Sequence, residues 1–260
     1  MTIDPSALGN GGHQAPVWTS TVVGHHRLRH DLAVIRLIGE FVPFTAGQSV
    51  EVQVPQQPGM RRRLSPALPP SLDGKLEFHV RTVPGGWCSG SIVADTRTGD
   101  EWRIGAPRGS FAIEPSGPEV VMIAGGTGLA PMRAQILDLA RKPEQPRTYL
   151  FVGGRSPRDL YAADMLTLLA DELPWLTVVP VVDSTSDPNW ADEWYEHSRV
   201  DIGFAEDDLL HGNLADVVSS HGAFDSHQVL VCGSPAMVGA TVDRLVESGT
   251  PLRNIQYEGA

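Results

Sequence analysis

Residues 119–142 read EVVMIAGGTGLAPMRAQILDLARK. The first part, 119-EVVMIAGG-126, is an apolar run closing on glycines, the pattern of a strand buried on both faces. The second part, 128-GLAPMRAQILDLARK-142, carries Leu129, Met132, Ile136, Leu137 and Ala140 at helical spacing. A buried strand that turns on glycine into a helix is the opening unit of a parallel α/β sheet. In the turn, 124-AGGTGLAP-131, Gly125, Gly126 and Gly128 allow close backbone approach. Thr127 is placed to cap the helix, and the free N–H groups suit an anion such as a pyrophosphate. A tight turn without a ligand explains the glycines equally well, because the stretch is neither a P-loop nor G-x-G-x-x-G.

Towards the C-terminus the same unit recurs. The strand 148-TYLFVGG-154 leads through 153-GGRSP-157 into a helix over 157–173 with proline at its start. Then come 176-LTVVPVV-182, a helix near 213–220, the strand 227-HQVLVCG-233 and a helix over 235–249. Three strand ends carry glycine before a helix, and the third, 232-CGSPAM-237, also carries a cysteine. Cys232 reads either as a reactive thiol at a helix start or, more commonly for a lone cysteine, as a small buried hydrophobe. Strands alternating with helices predict a doubly wound sheet with ligands at the strands' carboxyl ends.

Towards the N-terminus the period changes. Segments 17-VWTSTVV-23, 32-LAVIRLI-38, 49-SVEVQV-54 and 76-LEFHVRTV-83 alternate or are β-branched, with Gly and Pro turns between them. They predict a small antiparallel barrel of the six-stranded type, with one short helix near 90–99. The expected organisation is a flexible tail over 1–16, a β-barrel domain over 17–114 and an α/β domain over 115–260. The boundary falls near 113-IEPSGPE-119, and the cleft between the domains is the default site.

Composition narrows the classes. A net charge of −11 argues against a nucleic-acid surface. No run of about 18 apolar residues exists to span a membrane. The polar head lacks the apolar core of a signal peptide, so a reduced, cytoplasmic chain is expected. Two cysteines, Cys88 and Cys232, are too few for an iron–sulfur cluster held by four thiolates. No metal site is expected.

Taken in order, 62-RRLS-65, 76-LEFHVRTVPGGWCS-89, 105-GAPRGSF-111, 124-AGGTGLAP-131, 151-FVGGRSPRDLY-161, 231-VCGSPAM-237 and 255-IQYE-258 resemble the ferredoxin–NADP reductase superfamily. The likeness is greatest to the NADH-oxidising flavin modules of flavohaemoglobins and oxygenase reductases, and it runs from about residue 17 to residue 260. It implies FAD across the barrel and NADH over the α/β domain. Arg62 matches the arginine on the FAD pyrophosphate, and Ser65 the serine near the reactive edge of the flavin. Gly86 and Ser89 match the pyrophosphate turn. Gly126 and Thr127, with Gly125 and Gly128, match the nicotinamide dinucleotide loop, joined by Gly154, Arg155, Gly233 and Met237. Cys232 matches the cysteine beside the nicotinamide, and Glu258 the acid near the hydride path. Ser65, Cys232 and Glu258 are thus the expected catalytic set. Along a strand, Arg61 and Arg63 would face away from Arg62.

Two positions depart from the family pattern. Its Arg-x-Tyr-Ser motif has leucine here, Leu64, and the C-terminal aromatic two residues after the acid is Ala260. Stacking on a flat heterocycle is worth roughly 1–3 kcal/mol per ring. Two lost partners imply weakened flavin binding unless something replaces them. Trp87 is one candidate, weighed against a plain surface or interdomain packing role. The stretch 183–208 holds nine acids (Asp183, Asp187, Asp192, Glu193, Glu196, Asp201, Glu206, Asp207, Asp208) against one arginine, Arg199. That field repels a 2′-phosphate and favours NADH over NADPH; the competing readings are a solvated acidic loop with Arg155 on the phosphate, or a dock for a basic partner. The leading expectation is an NAD(P)H-dependent flavin oxidoreductase delivering electrons to a separate acceptor, a haem, iron–sulfur or oxygenase protein or domain. The alternatives are a flavin reductase using free flavin, and a non-catalytic nucleotide-binding module.

Overall fold

The computed structural model describes residues 16–109, 111–185 and 204–259. The tail over 1–15, Ser110, the acids Asp187, Asp192, Glu193, Glu196 and Asp201 with Arg199, and Ala260 lie outside the described residues.

Six strands form the first sheet: β1 (Trp18–Arg29), β2 (Leu32–Gly39), β3 (Val50–Gln53), β4 (Arg62–Leu64), β5 (Lys75–Arg81) and β6 (Glu101–Ile104). Their order is β4-β3-β6-β1-β2-β5, and every pairing is antiparallel. A bridge from Pro66 to Phe78 draws the two edges together into a near-barrel. Alternation puts Val22, Ile35, Leu37, Val50, Val52 and Trp102 inside, where Phe78 stacks on Trp102 with ring centres 6.0 Å apart. Helix α1 (Trp87–Asp95) plugs the barrel with Cys88, Ile92 and Val93. It starts three residues before the expected position. β1 runs on to Arg29 through two register shifts, at Val22/Gly24 and Arg27/Arg29. Such bulges break the period-2 pattern and hide the strand's second half from a sequence reading.

The second sheet is wholly parallel: β7 (Val120–Gly125), β8 (Thr148–Gly154), β9 (Leu176–Val182), β10 (Leu210–His211), β11 (Gln228–Gly233) and β12 (Ile255–Gly259). Its order is β10-β9-β8-β7-β11-β12, so the chain winds outward from β7, then returns to β11 on the other side. The switch point lies between β7 and β11, where a ligand crevice opens beyond the strand ends. Helices α2 (Leu129–Leu139) and α3 (Ala163–Glu172) cover one face over one apolar cluster, and α4 (Leu214–Ser220) and α5 (Pro235–Glu247) the other face over a second. Leu139, rather than Leu137 or Ala140, supplies the last core position of α2. The expected helix over 157–173 is broken. Pro157–Asp159 form a 3-10 turn, Leu160 leaves helical geometry at φ −82, ψ 58, and α3 begins at Ala163. The break turns Asp159 towards the barrel.

Two buried polar clusters cross the domain seam. In the first, Asp159 accepts from Arg29 at 2.7 Å and from Arg81 at 2.8 Å. In the second, Glu77 accepts from Arg36 at 2.7 Å and from Arg133 of α2 at 2.8 Å, while His79 joins Glu77 to the Tyr161 hydroxyl. Ionised Glu77 has no proton to give, so His79 Nε2–H donates to it and Nδ1 accepts from Tyr161. Burial alone would raise the Glu77 carboxyl; the bonds from His79 and Arg36 and the charge of Arg133 overturn this and hold it at about 2. Burial likewise opposes the Asp159 carboxylate, and Arg29 and Arg81 hold it below the usual range. A carboxyl depressed on folding stabilises above its unfolded pKa, and that stabilisation disappears as pH falls through the folded value. The seam is therefore expected to weaken between about pH 4 and pH 2, by on the order of 3 kcal/mol for Glu77. Proteolysis of the 105–119 connector across an acid titration checks this: cleavage should rise in that window in the native chain. Glu77→Gln should be cleaved faster at pH 7, and a native profile flat from pH 5 to pH 2 contradicts the claim.

Candidate cofactor cleft

A cleft of about 980 Å³ runs between the barrel and the carboxyl ends of the parallel strands. On the barrel side, β4 pairs with β3 so that Arg62 sits opposite Val52, Arg63 opposite Glu51 and Leu64 opposite Val50. Val50 and Val52 are fully buried, so Arg62 and Leu64 share the inward side. Arg61 faces the other way, 3.4 Å from Glu51. Arg62 and Arg63 both line the cleft; burial raises the Cys88 thiol at the start of α1, and the charge of Arg62 opposes that rise. Leu64 is half-buried against the barrel core, and Ser65 follows it along the wall.

The start of α1 adds backbone donors to this candidate anion site. Gly86 is its N-cap and offers no side-chain cap. A Cβ on Gly86 would lie 2.9 Å from both the Ser89 Oγ and the Val83 carbonyl, so glycine is what lets this turn close. The Ser89 hydroxyl is already used, accepting from Val83 N–H at 3.1 Å and donating to the Gly86 carbonyl at 3.3 Å. What Ser89 offers a ligand is its backbone N–H, one of the first-turn donors without an intrahelical partner. Unpartnered N–H groups beside a guanidinium favour a phosphate. Trp87 is 81% exposed and stands outside the cleft, so it covers no ring there.

The opposite wall is the glycine loop. Gly126 adopts φ +53, with Arg81 Nη1 3.4 Å from where its Cβ would be. Residues 126–128 form a 3-10 turn ahead of α2, so Thr127 lies inside helical geometry and makes no capping bond, contrary to the sequence expectation. Its place is on the cleft wall. Met237 spans the loop, its methyl 2.9 Å from a Cβ on Gly125 and 3.1 Å from one on Gly233. Gly154 leaves room for Asp159, and Arg155, largely exposed, stands 3.7 Å from that carboxylate. Gly128 does not line the cleft; it packs directly behind, on the Cys232 carbonyl.

Cys232 and Glu258 face each other in register on β11 and β12. Burial, and then the Glu258 carboxylate, push the Cys232 thiol up to about 12. It is a protonated, nearly buried group rather than a reactive thiolate. Both cysteines are free. The Glu258 carboxylate accepts from Ser49 at 3.3 Å. Of the sequence-derived residues, the structure brings Arg62, Leu64, Ser65, Gly86, Ser89, Gly125, Gly126, Thr127, Gly154, Arg155, Cys232, Gly233, Met237 and Glu258 onto one cleft. Sequence reasoning missed Arg81, Ser49 and Asp159. A charged residue ending the apolar strand 76-LEFHVR-81 was a signal for the first; the other two had none. The cradle fits a dinucleotide on either side: Arg62 and the α1 N–H groups on one, a glycine-rich loop facing Arg81 on the other. Among the described residues no group of acids, histidines or cysteines could hold a metal, and no helix is long and apolar enough to cross a membrane.

Both halves of the chain are similar to known proteins. The profile of the Oxidoreductase FAD-binding domain matches residues 19–113, and that of the Oxidoreductase NAD-binding domain matches residues 122–243. The phenol hydroxylase P5 protein of Acinetobacter pittii is 30% identical over 98% of this chain and 68% of its own. The xylene/toluene monooxygenase electron transfer component of Pseudomonas putida is 30% identical over 90% of this chain, which spans only 63% of that relative's length. Among solved structures, a cytochrome P450 reductase of Amycolatopsis superposes with a TM-score of 0.77 at 30% identity, over 95% of this chain and 71% of that one.

Proposed function

The chain belongs to the FAD- and NAD-binding oxidoreductases of the ferredoxin reductase family, and from that premise we propose that it carries reducing equivalents from NADH, by way of FAD, to a separate oxygenase or iron–sulfur acceptor. The observation that carries the reading is the single cleft joining the Arg62/α1 anion site to the 125–128 loop, Cys232 and Glu258. FAD, when bound, supplies the hydride-accepting and one-electron chemistry; the protein supplies geometry and electrostatics. Arg62 and the α1 N–H groups hold the pyrophosphate, while Leu64 and Ser65 form the floor under the ring. The 125–128 loop and Arg81 take the nicotinamide nucleotide. Cys232, kept neutral, gives a small apolar contact, and Glu258 holds negative charge at the mouth of the hydride path. NADH is preferred to NADPH, because Asp183 stands on the cleft wall where a 2′-phosphate would meet like charge.

Leu64 supports a second reading, in which flavin is a dissociable substrate. An absorption spectrum of the purified protein followed by anaerobic NADH separates the two. A flavin band near stoichiometry that NADH bleaches is expected. A colourless protein that oxidises NADH only with added flavin would move the assignment to a flavin reductase. Absence of both would leave a nucleotide-binding module. In the active cases, NADH should exceed NADPH in kcat/KM by about tenfold, the equivalent of 1.4 kcal/mol; equal values would remove the role given to Asp183.

A further inference from the structure

The C-terminal acid is held by a residue that no motif indicates. Ser49 is 1% exposed and lies on the barrel wall of the cleft. Its backbone is locked: its N–H donates to the Arg108 carbonyl at 2.9 Å, and its carbonyl accepts from Arg108 N–H at 2.8 Å. Two acceptors stand within reach of the hydroxyl, Glu258 Oε1 at 3.3 Å and the Arg108 carbonyl at 3.4 Å. A hydroxyl has one proton to give. The Arg108 carbonyl already receives the Ser49 N–H, and a bond to an ionised acceptor is the stronger of the two. The proton therefore goes to Glu258. The hydroxyl of Ser65, the serine the sequence pointed to, makes no hydrogen bond among the described residues.

We infer that Ser49 is the positioning residue for Glu258: its hydroxyl reaches across the domain seam, 209 positions away in sequence, and holds that carboxylate beside Cys232. Glu258 has three rotatable side-chain bonds, and β12 is the edge strand of its sheet. Without the serine, the carboxylate is free to turn away into the cleft. The consequence for hydride transfer rests on the function proposed above, but the contact itself is tested without any nucleotide.

The chain has only two cysteines, which gives the experiment its own reference. Cys232 reports on the carboxylate, because alkylation follows thiolate formation and a neighbouring negative charge suppresses it. Cys88 lies inside the barrel and reports on general loosening. The Cys232/Cys88 ratio of iodoacetamide alkylation rates at pH 9 is expected to rise about fivefold in Ser49→Ala, as the like charge moves away. Ser49→Thr keeps the hydroxyl and should retain the native ratio. Glu258→Gln should raise the ratio by itself, and adding Ser49→Ala to it should change nothing further. A ratio unmoved in Ser49→Ala would overturn the inference. So would a full additional rise in the Glu258→Gln background, which would mean that Ser49 acts on the thiol by some route other than Glu258. Because no arm uses NADH or flavin, failure of the functional reading shows in the spectrum, and failure of this one shows in the alkylation ratio.

Discussion

Gly128→Ala is expected to lower the melting temperature by roughly 6–12 °C and to abolish dinucleotide binding at the 125–128 loop. The added Cβ would stand 2.1 Å from the Cys232 carbonyl oxygen, 2.4 Å from its carbon and 2.7 Å from the Gly233 nitrogen. All three are backbone atoms, so no side chain can swing aside. Nor can the strand that carries them give way cheaply: β11 is bonded on one side to β7 and on the other to β12. Overpacking a well-filled interior typically costs 1–3 kcal/mol and sometimes more, and a clash against central-strand backbone belongs at about 3 kcal/mol or above. The displacement falls on Cys232 and the loop together, so the nucleotide site is lost with the stability. Gly239 is the matched control. It lies in α5 with open space around its Cβ position, and Gly239→Ala should stabilise by about 0.5–1 kcal/mol. Thermal melts of the two variants check the pair. Equal melting temperatures would mean that the close packing of loop on strand does not exist in solution.

The contrast between these two glycines marks what the sequence could convey. That the 124–131 turn needs glycine is a local fact, written in a strand that ends and a helix that begins within a few residues. The β7, β8 and β9 strands were legible for the same reason: largely apolar runs bounded by turns, with β7 and β8 buried on both faces. β6, with four residues, and β10, with two, are too short to build a period. α3 starts late because Asp159 is drawn to two arginines of the other domain, a force absent from the local pattern. Thr127 reads as a cap only if helical geometry begins at Gly128, two residues later than the 3-10 turn that opens at Gly126. The candidate site divides along the same line. Arg62, Ser89, Gly126 and Cys232 sit at strand ends and helix starts, where backbone geometry leaves a sequence mark. Ser49 and Glu258 meet only because two domains close on each other, and a serine in 47-GQSVEV-52 carries no sign of that.

Leu64→Tyr is expected to tighten FAD binding by roughly tenfold, and the gain should track the flavin ring rather than the rest of the ligand. Leu64 shares the inward side of β4 with Arg62, two residues or about 7 Å along the strand. An anion anchored at Arg62 and the α1 N–H groups would thus place the atoms beyond it over residue 64. A half-buried leucine gives a flat ring apolar contact, while an aromatic adds stacking worth roughly 1–3 kcal/mol. The position is only half-buried, so a larger side chain can extend into the cleft without overpacking the barrel. Titrations with riboflavin, FAD and ADP resolve the geometry. Leu64→Tyr should strengthen riboflavin and FAD alike and leave ADP unchanged. Arg62→Ala should weaken FAD and ADP by about tenfold or more and leave riboflavin unchanged, because a charge-assisted phosphate contact contributes about 1.5–3 kcal/mol. If the tyrosine tightened ADP, or the alanine weakened riboflavin, residue 64 and residue 62 would have exchanged ends of the ligand. With the expected pattern, the native leucine is what keeps flavin affinity a decade below what this cleft can reach. Whether the bound flavin stays through turnover or exchanges between turnovers then turns on a single side chain.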